Sequence, residues 1–285
     1  MATYLGIEPH LRTKKLRLIG KTTFSRRKDK PGEEYQTRLT LLCAMEILLR
    51  ILNPIQALLI LLWCAICASC GIVLVVLLFS RQRAIFVTSR ILWSPVVLLI
   101  SGVRLKITGR ENAPGDRNCI YIANHESLFD IVVLVRAVPV ALFFLAKQEL
   151  SKVPFLGWYM KAVGMILVDR GNREKSKKSM QRAAALINQG RNVVSFPEGT
   201  RSKTGEVMMF KRGSFVIAKE GQIDIVPIGI SGASKVLANG SFSLRPGVIR
   251  VNIGKPIAIR DFPNFSDEEL AEFARGEVQK LKGDF

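Results

Sequence analysis

From Ile51 to Ser80 the chain carries no charged side chain (ILNPIQALLILLWCAICASCGIVLVVLLFS), and no other feature constrains its fold so strongly. A helix that spans a bilayer needs about 20 consecutive apolar residues. As one straight helix the run would reach about 45 Å at 1.5 Å per residue, against a hydrocarbon core about 30 Å thick. It is therefore expected to tilt, or to bend into a hairpin that returns to the same face. Pro54 suits a helix start, or a break after the preceding segment 39–52, which carries Glu46 and Arg50. A second, weaker apolar stretch runs from Phe86 to Ile100, interrupted by Arg90 and Pro95. It is expected to lie in the membrane interface without crossing. Arg81, Arg83 and Arg90 follow the main run and a basic segment precedes it, so charge on both flanks favours both ends on one side.

That basic segment, residues 1–38, holds Lys14, Lys15, Arg17, Lys21, Arg26, Arg27, Lys28 and Lys30 without a clear period. It lacks the short apolar core and small-residue cleavage site of a signal peptide. Its pattern fits a membrane-surface arm or a solvated tail equally well. The whole chain combines a net charge of +19 with a hydrophobic fraction of 48%. A soluble nucleic-acid binder would show the charge without the apolar run, and a polytopic transporter would show several such runs. A protein that sits on an anionic membrane and handles acidic lipids needs both. Membrane lipids are thus the expected partners, and nucleic acid is not.

Four of the five cysteines, Cys43, Cys64, Cys67 and Cys70, lie in or beside the apolar region. The spacing of the last three would suit a metal only with a fourth ligand and polar surroundings, so they read as small packing residues. Two histidines, His10 and His125, are too few for a His-rich metal centre. Neither a metal site nor a bound cofactor is expected.

After Gly102 the texture becomes that of an α/β domain. Residues 103–108 (VRLKIT) alternate like a strand and 118–123 (NCIYIA) read as a buried one. Residues 191–196, 223–230 and 248–253 are further strand candidates. A helix is expected over 173–189, closed by Gly190. Strands alternating with helices predict a mixed, largely parallel sheet covered by helices, with a helical membrane anchor before it. The expected organisation is a basic arm (1–38), anchoring helices (39–102) and a catalytic domain (103–285).

Three segments carry chemistry. The first, Asn124-His125-Glu126-Ser127-Leu128-Phe129-Asp130, follows a strand directly. Histidine suits general-base work near neutral pH, and an Asp on its other ring nitrogen would orient it. On one continuous helix, positions i and i+5 would point about 140° apart. His125 and Asp130 can meet if His125 sits in the strand-to-helix turn and Ser127 opens the helix. Taken alone, the pair reads more readily as a turn histidine with a capping Asp.

The second segment is Gly164-Met165-Ile166-Leu167-Val168-Asp169-Arg170, followed by Arg173, Lys175, Lys177 and Lys178. An apolar strand ending in Arg170 before a basic helix start would hold a phosphate, or would merely present a solvated helix face. The third is Phe196-Pro197-Glu198-Gly199-Thr200-Arg201-Ser202, again at a strand end. Gly199 permits close backbone approach, Thr200 offers a hydroxyl, Arg201 a planar fork for phosphate, and Glu198 an acceptor for a hydroxyl or for Arg201. A tight turn would account for the same residues. Val226-Pro227-Ile228-Gly229 is a fourth, weaker feature placed near a strand end.

Other chemistries fail on pattern. The nearest string to a nucleophile elbow, Gly229-Ile230-Ser231-Gly232-Ala233, has the wrong last two residues, and Gly254-Lys255 runs into Pro256 instead of completing a Walker loop. In order and together, NHESLFD, GMILVDR, FPEGTRS and VPI resemble the four blocks of the lysophosphatidic acid acyltransferase family, over roughly residues 100–260. The resemblance implies His125 and Asp130 as a catalytic pair. It implies Glu198, Gly199 and Arg201 at the acceptor, with Arg170 near its phosphate, and a helical N-terminal anchor; Thr200, between them, is a further substrate-binding candidate by its hydroxyl. The long basic arm departs from the family pattern.

The implied reaction moves an acyl group from acyl-CoA or acyl-carrier protein to lysophosphatidic acid, with the catalytic domain at the cytoplasmic face of a membrane. Other acceptors in the family's range are a lyso-ornithine lipid or lysophosphatidylglycerol. The reading from a different class is a non-catalytic, basic, membrane-anchored binding protein, for which a His/Asp pair would have no use.

Overall fold

The computed structural model describes residues 31–169 and 173–283. The chain divides between Glu46 and Ile47 into two compact units. Described residues of the first are helical, and Thr40 Oγ1 donates to the Gln36 carbonyl at 2.9 Å.

Helix α1 (Pro31–Leu77) includes Pro54 in its interior, so this proline neither starts nor ends it. The helix stops where Phe79 takes a φ of 47°, and Ser80 then caps the next helix by accepting from the Arg83 amide at 3.3 Å. From there α2 (Arg81–Ile85), a π-helical stretch (Phe86–Trp93) and α3 (Ser94–Ile100) run on as one apolar helical segment. Pro95 is the second residue of α3, directly after the π-helical stretch. Side chains tie this segment back along α1. Gln56 donates to the Ile100 carbonyl at 3.1 Å, the Trp63 indole to the Leu92 carbonyl at 3.3 Å, and the Trp93 indole to Cys64 Sγ at 3.1 Å. Contacts pairing 56 with 100 and 64 with 93 make an antiparallel helical hairpin. The long apolar run is therefore not folded on itself; its partner is the second stretch. Ile51–Leu77 and Arg81–Ile100 are each long and apolar enough to cross a membrane, with mean hydropathies of 2.8 and 1.6. The second stretch also leans on the α/β domain.

That domain is a seven-stranded sheet in the order β1-β7-β6-β2-β5-β3-β4. Its strands are β1 (Val103–Thr108), β2 (Ile120–Ala123), β3 (Leu142–Lys147), β4 (Ile166–Val168), β5 (Asn192–Ser195), β6 (Ile225–Ser231) and β7 (Gly247–Ile253). All neighbouring pairs are parallel except β6 and β7. Helices α4 (Phe129–Ala137), α5 (Leu156–Val163), α6 (Arg173–Asn188), α7 (Gly213–Gly221), α8 (Ala233–Val236) and α9 (Asp267–Lys282) cover it. The mixed, largely parallel sheet expected from sequence is present, with β3 as an additional strand. Val226-Pro227-Ile228-Gly229 are the second to fifth residues of the seven-residue β6.

The period of two in β2 sorts its side chains between two cores. Ile120 and Ile122 pack with Phe143, Val193, Phe215 and Ile225 on one face, and Tyr121 and Ala123 with Val194, Val226, Ile228 and Phe129 on the other. With both faces covered, β2 is buried along its whole length, which explains its run of apolar residues.

Arg90, which interrupts the second apolar stretch, has a definite partner. Its Nη1 donates to the carbonyls of Val135, Arg136 and Val138, the last at 2.5 Å, where α4 ends. Carbonyls at a helix C-terminus have no intrahelical donors and attract a cation. Arg90 thus joins the apolar hairpin to the helix that carries Asp130.

Candidate active site

β2 and β5 are parallel neighbours with Ile122 opposite Ser195, so the segments after Ala123 and Ser195 emerge side by side. Open α/β sheets bind their ligands beyond such carboxyl ends. Asn124 is buried and fixes the exit of β2. Its amide donates to the Ile230 carbonyl at 2.9 Å and accepts from the Ile230 N–H at 2.7 Å. Both backbone groups of His125 are then held by the loop after β5. The His125 N–H donates to Glu198 Oε1 at 2.7 Å, and its carbonyl accepts from the Ser202 N–H at 2.7 Å. Its ring stacks on Phe196 from the same loop, with centroids 4.0 Å apart and planes inclined by 15°.

Asp130 is the second residue of α4 and is fully buried. One oxygen, Oδ2, receives His125 Nδ1 at 2.7 Å and the amides of Glu126 at 2.7 Å and Ser127 at 2.9 Å. The i, i+5 spacing closes because residues 124–128 form a turn and the helix begins only at Phe129. Ser127 therefore lies before the helix instead of opening it. Its hydroxyl accepts from the Phe129 amide at 3.2 Å and donates to the Leu237 carbonyl at 2.7 Å. Oδ2 already accepts from the Glu126 and Ser127 amides, so it accepts from His125 as well: Nδ1 is the donor, which leaves Nε2 to act as the acceptor. Burial pushes the Asp130 carboxyl above the usual carboxylate range, while the His125 N–H and the two amides pull it back. The ring of His125 is 16% exposed, enough for a reactant to reach it.

Glu198 is buried, and both its oxygens are engaged, Oε1 by the His125 amide and Oε2 by the Met208 amide at 3.3 Å. Burial raises its carboxyl to about 7, against the two amides and Lys282, which lower it; Asp130 adds to the rise. Gly199 has a φ of 74°, and a Cβ there would sit 2.7 Å from Lys211 Nζ. Glycine thus permits the turn and brings a cation beside it, one that sequence spacing does not reveal. Thr200 is exposed. Arg201 is half-buried; its carbonyl accepts from Asn239 at 3.2 Å, and its guanidinium takes no partner among the described residues. Arg170 lies outside the described residues. The structure therefore brings His125, Asp130 and Glu198 together, with Gly199, Thr200 and Arg201 following on the same loop.

Phe196 and Glu126 stand within the sequence motifs without an assigned role, since an apolar residue before a proline and a polar one in a turn carry no distinctive pattern. A cavity was equally invisible there. It measures about 200 Å³, is almost wholly apolar, and is lined by Cys64, Cys67, Trp93, Phe144, Tyr159 and Met165 among others. Phe144 stacks at 6.4 Å on the same Phe196 that underlies His125, so an apolar wall runs from the cavity to the ring of His125. Cys64 and Cys67 are part of this lining. Among the described residues no group of three or more His, Cys, Asp or Glu side chains converges as a metal site.

A family model described as Acyltransferase matches residues 104–231, the span that contains His125, Asp130 and the Glu198 loop. The chain is 33% identical over 236 residues to a 1-acyl-sn-glycerol-3-phosphate acyltransferase of Saccharomyces cerevisiae, covering 81% of this chain and 76% of the relative. It is 31% identical over 207 residues to the chloroplastic 1-acyl-sn-glycerol-3-phosphate acyltransferase BAT2 of Brassica napus, covering 68% of this chain and 60% of the relative. Its fold is similar to the crystal structure of the 1-acyl-sn-glycerophosphate acyltransferase PlsC from Thermotoga maritima. The TM-score is 0.66 at 28% identity, over 80% of this chain and 95% of the other. With the His/Asp pair at the carboxyl end of β2 and this degree of identity along most of its length, the chain belongs to the 1-acyl-sn-glycerol-3-phosphate acyltransferase family.

Proposed function

We propose that this chain transfers a fatty acyl group from a thioester, acyl-CoA or acyl-carrier protein, to the free sn-2 hydroxyl of lysophosphatidic acid, giving phosphatidic acid. The observation that carries the chemistry is the 2.7 Å bond from His125 Nδ1 to a buried carboxylate, which leaves Nε2 as the proton acceptor. Nε2 takes the hydroxyl proton as that oxygen attacks the thioester carbonyl. Asp130 stabilises the imidazolium so formed. The tetrahedral intermediate collapses, the carbon–sulfur bond breaks, and the imidazolium returns its proton to the departing thiolate. No covalent acyl-enzyme is involved, and the donor is a co-substrate in place of any bound cofactor or metal.

Arg201, and Arg170 from the neighbouring motif, hold the acceptor phosphate, converting binding energy into position. Glu198 acts from beneath, through the His125 amide, as a brace for the catalytic turn. The acyl chain occupies the apolar cavity between α1, the π-helical stretch and α5. In this reading the cavity lies in the bilayer, which the hydropathy of the two hairpin segments supports, and the sheet lies at the cytoplasmic face.

The test is a head-to-head assay of purified protein in liposomes, with lysophosphatidic acid, lysophosphatidylglycerol and a lyso-ornithine lipid, each offered acyl-CoA and acyl-carrier protein. Phosphatidic acid should form fastest. Preference for either of the other acceptors would refute the acceptor assignment, and no product from any pair would refute the reaction.

A further inference from the structure

The turn that carries His125 has a second anchor besides Asp130. Glu126 is buried at 2% exposure although a charged side chain is costly to bury without partners. Its Oε1 accepts from the Ser234 amide at 3.1 Å, and its Oε2 meets Lys282 Nζ at 3.2 Å. Lys282 belongs to the last turn of α9 and also donates to the Gly205 carbonyl. Gly205 belongs to the loop after β5, where its amide donates to Ser202 Oγ at 3.1 Å, the residue whose own N–H holds the His125 carbonyl. One ammonium therefore connects the histidine turn to the loop that carries Glu198, Gly199 and Arg201.

Lys282 is brought there by a specific packing contact. A Cβ on Gly229 of β6 would overlap the backbone at Leu281 and Lys282, so glycine lets the end of α9 lie directly on the strand. Asn252 of β7 fixes the same turn, donating to the Leu281 carbonyl at 2.6 Å. The ammonium also pulls the Glu198 carboxyl down, against the rise that burial gives it.

We infer that Lys282 is a positioning residue for acyl transfer: paired with Glu126 and bonded to Gly205, it sets the spacing between the His125 turn and the Glu198–Arg201 loop without touching substrate. The inference rests on the acyltransferase reading above. A displacement of about 1 Å at a reacting centre costs up to about a hundredfold in rate, so the link should show in kcat. Access is provided by a polar cavity of about 470 Å³ over the pair, lined by Thr204, Ser234 and Gln279 among others, which is wide enough to admit a small amine.

The experiment compares full-length wild type with K282M, K282R, K282A, E126Q and the E126Q/K282M double variant in the liposome assay, with thermal melts on each. K282M should lose about tenfold to a hundredfold in kcat, with both KM values within about twofold, the pattern of an interaction felt only at the transition state. K282R should recover most of the rate. E126Q should lose rate, and the double variant should fall no further than the worse single one, as coupled neighbours do. Methylammonium should restore K282A saturably. An active wild type whose folded K282M keeps full kcat overturns the role of Lys282 alone, as does a double variant whose losses multiply. If K282M does not fold, amine rescue of K282A decides: no rescue overturns the role. A wild type inactive on every lyso-lipid overturns the acyltransferase reading itself, and is seen without any variant.

Discussion

Replacing Asp130 with Asn removes one charge and leaves the shape of the turn. At the 2.7 Å separation found here, a carboxylate and an imidazolium attract by about 6 kcal/mol at an effective dielectric near 20. A neutral amide oxygen in the same place keeps part of this as a hydrogen bond, so the barrier should rise by about 4–5.5 kcal/mol, or about 10³–10⁴ in rate. Two amides already donate to Oδ2, from Glu126 and Ser127, so the amide oxygen must face them and the NH₂ must take the place of Oδ1. That site is buried and has no partner among the described residues. The unsatisfied donor costs about 1–3 kcal/mol of stability, partly offset because a charge no longer has to be buried. The assay is transfer of labelled acyl chains to lysophosphatidic acid at saturating concentrations, beside a denaturant melt. D130N should fold, bind both substrates with near-normal KM, and turn over about 10³–10⁴ times more slowly. A folded variant within tenfold of wild type, or one defective only in KM, would refute the argument.

The cavity reading predicts that Cys67→Trp, which fills the chamber from α1, shifts preference toward shorter acyl chains in a mixed-donor competition; an unchanged chain-length profile would place the acyl group elsewhere. Glu198 gives a pH dependence. Its carboxyl lies near 4.5 when free and about 7 in the fold, so the native state binds the extra proton. Its contribution to stability is therefore present below about pH 4.5, is lost as pH rises to about 7, and is flat above that. Glu198→Gln should remove that slope from denaturant melts taken across this range, and an unchanged slope would contradict the burial argument.

Much of this fold is written in local pattern. Alternation in VRLKIT and the unbroken apolar run of NCIYIA mark β1 and β2, because the physical requirement, burial of one face or of both, is met within a few residues. The blocks around His125 and Glu198 are legible for a related reason: each is short and sits directly at a strand end. α9 also carries its own signature, the reciprocal cap between Ser266 and Glu269. What is not local was not legible. Pro54 looks like a helix end, but tertiary and membrane packing can carry a helix through a proline. Arg90 looks like an interruption of an apolar stretch until the carbonyls at the end of α4 are seen beside it. The strand β3 follows α4 within one mostly apolar stretch, 129–146, where Pro139 is easily read as part of the same run. Glu126 and Lys282 stand far apart in the chain and meet only because Gly229 lets a helix touch a strand.

The central claim is that His125 Nε2 is the base for acylation of lysophosphatidic acid. The most direct measurement is phosphatidic acid formation in liposomes by wild type and His125→Ala, with membrane association of both followed by flotation. The account predicts product from wild type, none above background from the variant, and equal flotation. A membrane-bound H125A that still makes phosphatidic acid at the wild-type rate would contradict it.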